Sequence, residues 1–276
     1  MTGNSTLALD RPLLLIGCGK MGGAMLEGWL ARGLAPGKTW VVEPAGVPDL
    51  AARGIHVVAE LAAVPVDLDP AAVVVAVKPQ TMDKVLPLLA KLVTARSLVL
   101  SIAAGKRIAL FETALGSAVP VVRAMPNTPA AVGRGMTVLV AGAAAGPAER
   151  DLAGTLCAAV GSIGWVEDEG LIDVVTALSG GGPAYVFLLI EVLAKAGVAS
   201  GLDAELAMRL ARETVTGSGE LARLSAEPAD QLRRNVTSPA GTTERALNVL
   251  MAEDGLQPLF DRAIAAATAR SRELAG

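Results

Sequence analysis

Over the first 166 residues, short and wholly apolar runs alternate with stretches whose apolar residues recur every three or four positions. The apolar runs are 12–16 (PLLLI), 39–43 (TWVVE), 56–58 (HVV), 71–77 (AAVVVAV), 97–102 (SLVLSI), 119–125 (VPVVRAM), 136–142 (MTVLVAG) and 162–166 (SIGWV). Runs of this length and β-branched content read as strands buried on both faces. The intervening stretches read as helices over 20–32, 80–94, 107–115 and 147–160. The first carries Met21, Met25, Leu26 and Trp29 at helical spacing and ends at Gly33. Strands alternating with helices predict right-handed crossovers and a parallel sheet covered on both sides.

After Glu167 the pattern changes. Ala-, Leu-, Glu- and Arg-rich segments with helical periodicity run over 168–178, 183–197, 203–224, 242–252 and 256–273, with no convincing strand between them. The expected organisation is an α/β domain over 1–166 and an all-α domain over 167–276.

Composition narrows the class. The chain has 276 residues, enough for two ordinary domains, and 52% are hydrophobic, enough for a large core. Aromatics are only 3%, so Ala, Val, Leu and Gly must carry that core. A net charge of −3 gives no nucleic-acid footprint and no basic stripe for a membrane surface. The uncharged run Val174–Ile190 is marginal for a bilayer and is interrupted by Gly180-Gly181-Gly182-Pro183, so no membrane span is expected. The first ten residues lack the basic region and apolar core of a signal peptide. Two cysteines and one histidine exclude a disulfide framework and a zinc site, so no metal is expected. The expected compartment is the reducing cytoplasm.

The candidate chemistry starts at Gly17-Cys18-Gly19-Lys20-Met21-Gly22, a complete G-x-G-x-x-G between a strand and a helix. Glycines there permit a tight turn, close approach of a pyrophosphate and close packing of helix on strand. The free N–H groups and partial positive charge of the helix start attract the phosphates. Glu43 closes the second strand, where a carboxylate accepts hydrogen bonds from the adenosine ribose and repels a 2′-phosphate. Val77-Lys78-Pro79 and Ala103-Ala104 lie at further strand ends that should face the same crevice. The alternative for this loop is a tight turn without a ligand; for Glu43, an ordinary strand-end glutamate; for Lys78, a solvated lysine.

Asn127, between two prolines, either presents its amide to a ligand or closes a local turn. In the helical half, Ser179 precedes Gly180–Gly182 and Pro183. Asn235, Thr237, Ser238, Gly241, Thr242 and Thr243 precede another helix. Hydroxyls and free N–H groups at a helix start suit a carboxylate, and capping alone would need one hydroxyl rather than four.

These segments together resemble the Δ1-pyrroline-5-carboxylate reductase family. The resemblance runs from Leu13 to the C-terminus through IGCGKMGGAM, AVKPQ, SIAAGK, VRAMPNTPA, ALSGGGPAYVF and NVTSPAGTT. It implies a Rossmann domain followed by a helical dimerisation domain, and reduction of pyrroline-5-carboxylate to L-proline by NADPH or NADH, the last step of proline biosynthesis. It further implies an intertwined homodimer, with dimers assembling into a ring. By the same resemblance Gly17 to Gly22 hold the pyrophosphate. Val77, Lys78, Pro79, Ala103, Ala104 and Asn235 lie at the cofactor, and Ser238, Gly241, Thr242 and Thr243 bind substrate. Two places depart from the family pattern: Gly181 stands where a serine is usual, and Glu43-Pro44-Ala45 where small polar or basic residues accompany NADPH.

Few protein groups are needed to reduce a cyclic imine, and Thr243 is the candidate for contact with the imine nitrogen. Two other readings are a β-hydroxyacid dehydrogenase and a non-catalytic dinucleotide sensor. The first wants a lysine one turn into the helix after a glycine-rich loop, and 183–187 contain none. The second has no use for the hydroxyl cluster.

Overall fold

The computed structural model describes residues 7–275, so residues 1–6 of the segment read above for a signal peptide lie outside the described residues. Eight strands form one sheet: β1 Leu13–Ile16, β2 Thr39–Val42, β3 His56–Val58, β4 Ala72–Val75, β5 Leu98–Ser101, β6 Val121–Met125, β7 Gly135–Ala141 and β8 Gly161–Trp165. The order is β3-β2-β1-β4-β5-β6-β7-β8. β1 and β4 run parallel, but the strand order turns from one side of the sheet to the other between them, the place where doubly wound sheets open a crevice.

The helices of this part are α1 Lys20–Ala31, α2 Pro48–Ala52, α3 Met82–Leu89, α4 Ile108–Leu115 and α5 Pro147–Ala158. The pleat sorts the strand residues. Leu13, Leu15, Val41, Val74 and Leu100 face one side with Met25, Leu26 and Trp29 of α1 and Leu156 and Cys157 of α5. Leu14, Ile16, Val73, Val75 and Val99 face the other with Met82, Leu86 and Leu89 of α3 and Phe111 of α4. All four β1 side chains are within 1% of complete burial, and each contributes about 1.5–3 kcal/mol. Trp29 is fully buried and satisfies its indole N–H on the Leu156 carbonyl at 2.8 Å. α1 ends where Leu34 N–H reaches back to the Trp29 carbonyl, with Gly33 at φ +90°.

The sheet is not wholly parallel, which corrects the expectation above. β7 runs antiparallel to β6, and β8 then pairs parallel with β7. The physical reason is the link. Only residues 126–134 join β6 to β7, too few for a crossover, whereas α5 joins β7 to β8. The periodicity also does not predict α2 or the short helix α9 Ala229–Asn235, because each is under eight residues and has too few turns to register a period.

The helical part contains α6 Leu171–Val175, a π-turn Thr176–Gly180, α7 Gly182–Ala199, α8 Ala204–Leu224, α9 Ala229–Asn235, α10 Thr242–Leu250 and α11 Leu256–Ala275. The chain divides into two compact units, Met1–Gly180 with Thr268–Gly276, and Gly181–Ala267. Within the first, Ser271 of α11 donates to the buried Asp173 carboxylate at 2.6 Å. The run Leu171–Ala199 is one helical stretch long and apolar enough to cross a membrane by length and composition, with mean hydropathy 1.5.

One buried ion pair ties the first unit together. Arg123 of β6 is 3% exposed and meets Glu169 Oε1 at 2.9 Å. The same carboxylate oxygen accepts the Ile108 N–H that opens α4. Glu169→Ala leaves the guanidinium buried without its carboxylate. The expected cost is about 3 kcal/mol, the low end for a broken buried pair, because Glu169 keeps 26% of its surface in water. Urea unfolding measures it as a lower midpoint at unchanged slope.

Candidate functional site

The parallel strands β1 to β6 end at one edge because their registers align. Ile16 lies beside Val42 and Val75, Val75 beside Ser101, and Ser101 beside Arg123. The residues at or just past those strand ends therefore share that edge: Gly17, Glu43, Val77, Ala103 and Met125.

Gly17 turns the chain there. Its N–H bonds the Val42 carbonyl, its φ is +95°, and a Cβ would sit 2.8 Å from the Ala76 carbonyl oxygen. Gly22 is buried in the first turns of α1, and a Cβ there would come within 2.2 Å of the Gly17 carbonyl oxygen. Gly19 differs from both: a Cβ on it would meet nothing within 4 Å. The fold therefore demands glycine at 17 and 22 and makes no demand at 19. A demand at 19 comes from whatever approaches the loop.

Gly19 is also the residue before α1. The first intrahelical N–H is that of Gly23, donating to the Gly19 carbonyl at 2.8 Å, so the N–H groups of Lys20, Met21 and Gly22 have no partner within the helix. Lys20 and Gly19 are exposed, and Met21 is half-buried. This cradle fits a pyrophosphate.

Glu43 is half-buried and pinned. Its Oε2 accepts the Cys18 N–H at 2.8 Å and its Oε1 the Ala45 N–H at 3.3 Å. The sequence placed Glu43 at the end of a strand; the structure brings it into contact with the glycine loop. Burial, then Glu43 and Glu27, push the Cys18 thiol up, so it stays protonated and no nucleophile is made there. Cys157 is fully buried and pushed up to about 12.

Lys78 is exposed and its carbonyl accepts the Thr81 hydroxyl at 2.8 Å, opening the turn Pro79–Thr81. Val77 and Pro79 are half-buried. Ala103 is buried, with its N–H on the Ser101 hydroxyl, and Ala104 is exposed beside it.

The Asn127 side chain is committed to the fold. Its Oδ1 accepts the Met136 N–H at 2.8 Å, and its Nδ2 donates to Ser179 Oγ at 3.2 Å and to the Ser179 carbonyl at 3.3 Å. Asn127 is neither a free amide nor a closed local turn: it ties the β6–β7 link to the π-turn and sets Ser179. Gly180 follows, where a Cβ would fall 2.7 Å from the Met125 Cε.

In the helical unit, Asn235 ends α9 with its side chain held by its own neighbours. Gln231 donates to its Oδ1 at 2.7 Å, and its Nδ2 donates to Glu227 at 2.9 Å. The Thr237 hydroxyl donates to the Arg233 carbonyl at 2.7 Å. Ser238 is exposed and its carbonyl accepts the Gly241 N–H. Ala240 sits at φ +57°, and its N–H is held at 2.8 Å by Glu244, which reaches back from α10. That contact, and none of the hydroxyls, closes the helix entry. Thr242 and Thr243 are exposed in the first turn of α10, and among the described residues their hydroxyls meet no partner. The N–H groups of Thr242, Thr243 and Glu244 precede the first intrahelical bond, Arg245 N–H to the Gly241 carbonyl. Glu244 was not singled out in the sequence, although its distance from the turn is a capping signal.

Residues 169–274 match the family described as pyrroline-5-carboxylate reductase dimerisation. Residues 13–105 match the family described as NADP oxidoreductase, coenzyme F420-dependent. A pyrroline-5-carboxylate reductase of Pseudomonas aeruginosa is 41% identical, over 95% of this chain and 96% of its own. One from Methanosarcina acetivorans is 38% identical, over 94% and 96%. Among solved structures, a pyrroline-5-carboxylate reductase from Coxiella burnetii superimposes with a TM-score of 0.89 at 36% identity, covering 97% of this chain and 100% of that one. A Plasmodium falciparum pyrroline carboxylate reductase with NADP bound does so at 0.81 and 29%, covering 97% and 99%. Identity at this level across nearly the whole of both chains, through the glycine loop and the helical unit alike, places this chain in the pyrroline-5-carboxylate reductase family.

Proposed function

We propose that the chain reduces Δ1-pyrroline-5-carboxylate to L-proline with NADPH or NADH, closing proline biosynthesis. The observation that carries this reading is the 41% identity to the Pseudomonas aeruginosa reductase over 95% of the chain. The reduced nicotinamide supplies the hydride. The loop Gly17–Gly22 binds the pyrophosphate on the free N–H groups of α1, and Glu43 accepts from the adenosine ribose. Val77, Lys78, Pro79, Ala103 and Ala104 support the nicotinamide side. Asn127 acts as a positioning residue through Ser179.

The substrate carboxylate binds the N–H groups of Thr242 and Thr243, with Ser238 and Gly241 forming the approach. The Thr243 hydroxyl meets the imine nitrogen and, with solvent, keeps it protonated and electrophilic. Such a site catalyses by placing the ring and holding the carboxylate, and it needs no obligatory general base. The Asn235 side chain is held by Gln231 and Glu227. The enzyme works in the cytosol.

The assay is decay of nicotinamide absorbance with pyrroline-5-carboxylate. Turnover supports the reading. Binding of nucleotide without turnover points instead to a dinucleotide sensor, and turnover of a hydroxy acid in its place to a dehydrogenase.

Assembly follows from the helical unit. Phe187 is 61% exposed and Val192 52%, and Val186, Leu189 and Leu193 are also exposed along α7, as are Leu206 and Leu210 on α8. So many large apolar side chains left exposed along two helices call for a partner. A second copy covering it forms a homodimer, and dimers assemble further into a ring. Sedimentation at micromolar concentration is expected to give a dimer or a multiple of it, and Leu189→Glu to shift it toward monomer. A wild-type monomer that is active would overturn the assignment.

A further inference from the structure

We propose that this chain selects NADH over NADPH, and that Glu43, Glu27 and Arg53 make the selection together. The inference rests on the nucleotide reading above and goes on to name the nucleotide. Glu43 is held at two points, by Cys18 N–H and by Ala45 N–H. Its carboxylate cannot swing out of the way without losing both bonds. A nucleotide whose pyrophosphate lies on the start of α1 brings its adenosine ribose to the end of β2. The pinned carboxylate retains a lone pair on each oxygen, which suits two ribose hydroxyls. A 2′-phosphate in their place sets a dianion against a fixed carboxylate.

Such a phosphate needs a free cation nearby, and among the described residues the adjoining cavity has none to offer. Next to this edge, between α1 and α2, lies a cavity of about 460 Å³ lined by Cys18, Glu27, Gly46, Asp49 and Arg53 among others. Arg53 is its one guanidinium. It is already paired at two points with Glu27, at 2.5 Å and 3.1 Å. Two carboxylates against one guanidinium leave the lining net negative. Glu43 therefore repels the 2′-phosphate directly, and Glu27 withholds the cation that would receive it. Removing Glu43 uncovers only half of a phosphate site; removing Glu27 as well frees Arg53 to complete it.

The test is equilibrium binding of NADH and of NADPH, each followed by nucleotide fluorescence without substrate. Wild type is expected to bind NADH at least tenfold more tightly. Glu43→Ser should shrink that ratio at least tenfold. Glu43→Gln keeps an oxygen for Cys18 N–H and removes the charge, and should shrink the ratio too; it serves if the serine variant fails to fold. Glu27→Gln added to either should improve NADPH binding a further three- to tenfold, and Arg53→Ala in that background should cancel the gain. Competition by ADP and by 2′,5′-ADP should follow the same order. Equal affinities in wild type, or a ratio that Glu43 variants leave unchanged, would overturn the proposal. Binding of neither nucleotide would overturn the proposed function and this selection with it.

Discussion

Gly22→Ala is expected to lose nucleotide binding and stability together, whereas Gly19→Ala should lose binding alone. The contrast comes from what each new methyl group meets. At Gly22 it lands 2.2 Å from the Gly17 carbonyl oxygen, a backbone atom that cannot rotate aside. Either α1 lifts away from the loop or the loop unwinds. Overpacking of this kind costs about 1–3 kcal/mol. The displaced atoms are the N–H donors that would hold the pyrophosphate, so a comparable loss falls on binding, roughly ten- to a hundredfold in Kd. At Gly19 the methyl group meets no protein atom within 4 Å. Thermal unfolding of Gly19→Ala should match wild type to within about 0.5–1 kcal/mol, the propensity range for such a change. Its Kd for NADH should still rise, because the methyl group stands where the phosphates approach. Unchanged affinity in Gly19→Ala would remove the loop from the cofactor site.

Thr243→Val is expected to lower kcat/KM for pyrroline-5-carboxylate roughly ten- to a hundredfold, from the loss of about 1.5–3 kcal/mol for a hydrogen bond to a charged group. The valine preserves shape and removes one hydroxyl. The structure sharpens the prediction by separating this hydroxyl from its neighbours. Thr237 already donates to the Arg233 carbonyl, and Glu244 closes the helix entry through Ala240 N–H. Thr243 carries neither duty, so its loss should leave the unfolding midpoint in place. Thr237→Val, by contrast, should lower stability by about 1 kcal/mol and touch the rate only through it. NADH affinity of Thr243→Val should equal that of wild type. If Thr243→Val turns over like wild type, its hydroxyl has no part in the reaction.

Much of this molecule is legible in one dimension. A run such as Leu13–Ile16, apolar at every position, is a strand covered on both faces, because no half-exposed strand tolerates it. Gly17 and Gly22 are readable for the same kind of reason: the close approach of strand and helix excludes a side chain at both. The alignment of five strand ends, and with it the place of Val77 and Ala103 beside the glycine loop, follows from parallel pairing alone.

What the chain could not reveal by itself lies in partners distant in sequence. The reversal of β7 depends on the length of one link, against the strong habit of alternating strands and helices. Asn127 reads as a ligand-facing amide or as a local turn until Ser179, 52 residues on, and the Met136 N–H engage its side chain. Glu43 reads as a ribose acceptor or as an ordinary strand-end carboxylate until the Cys18 N–H, 25 residues earlier, fixes its direction. Local sequence sets the elements because their periodicity is a property of neighbouring residues. Which polar groups remain available for chemistry is settled only by tertiary structure, because each buried or half-buried donor takes whatever acceptor the packing brings within about 3 Å.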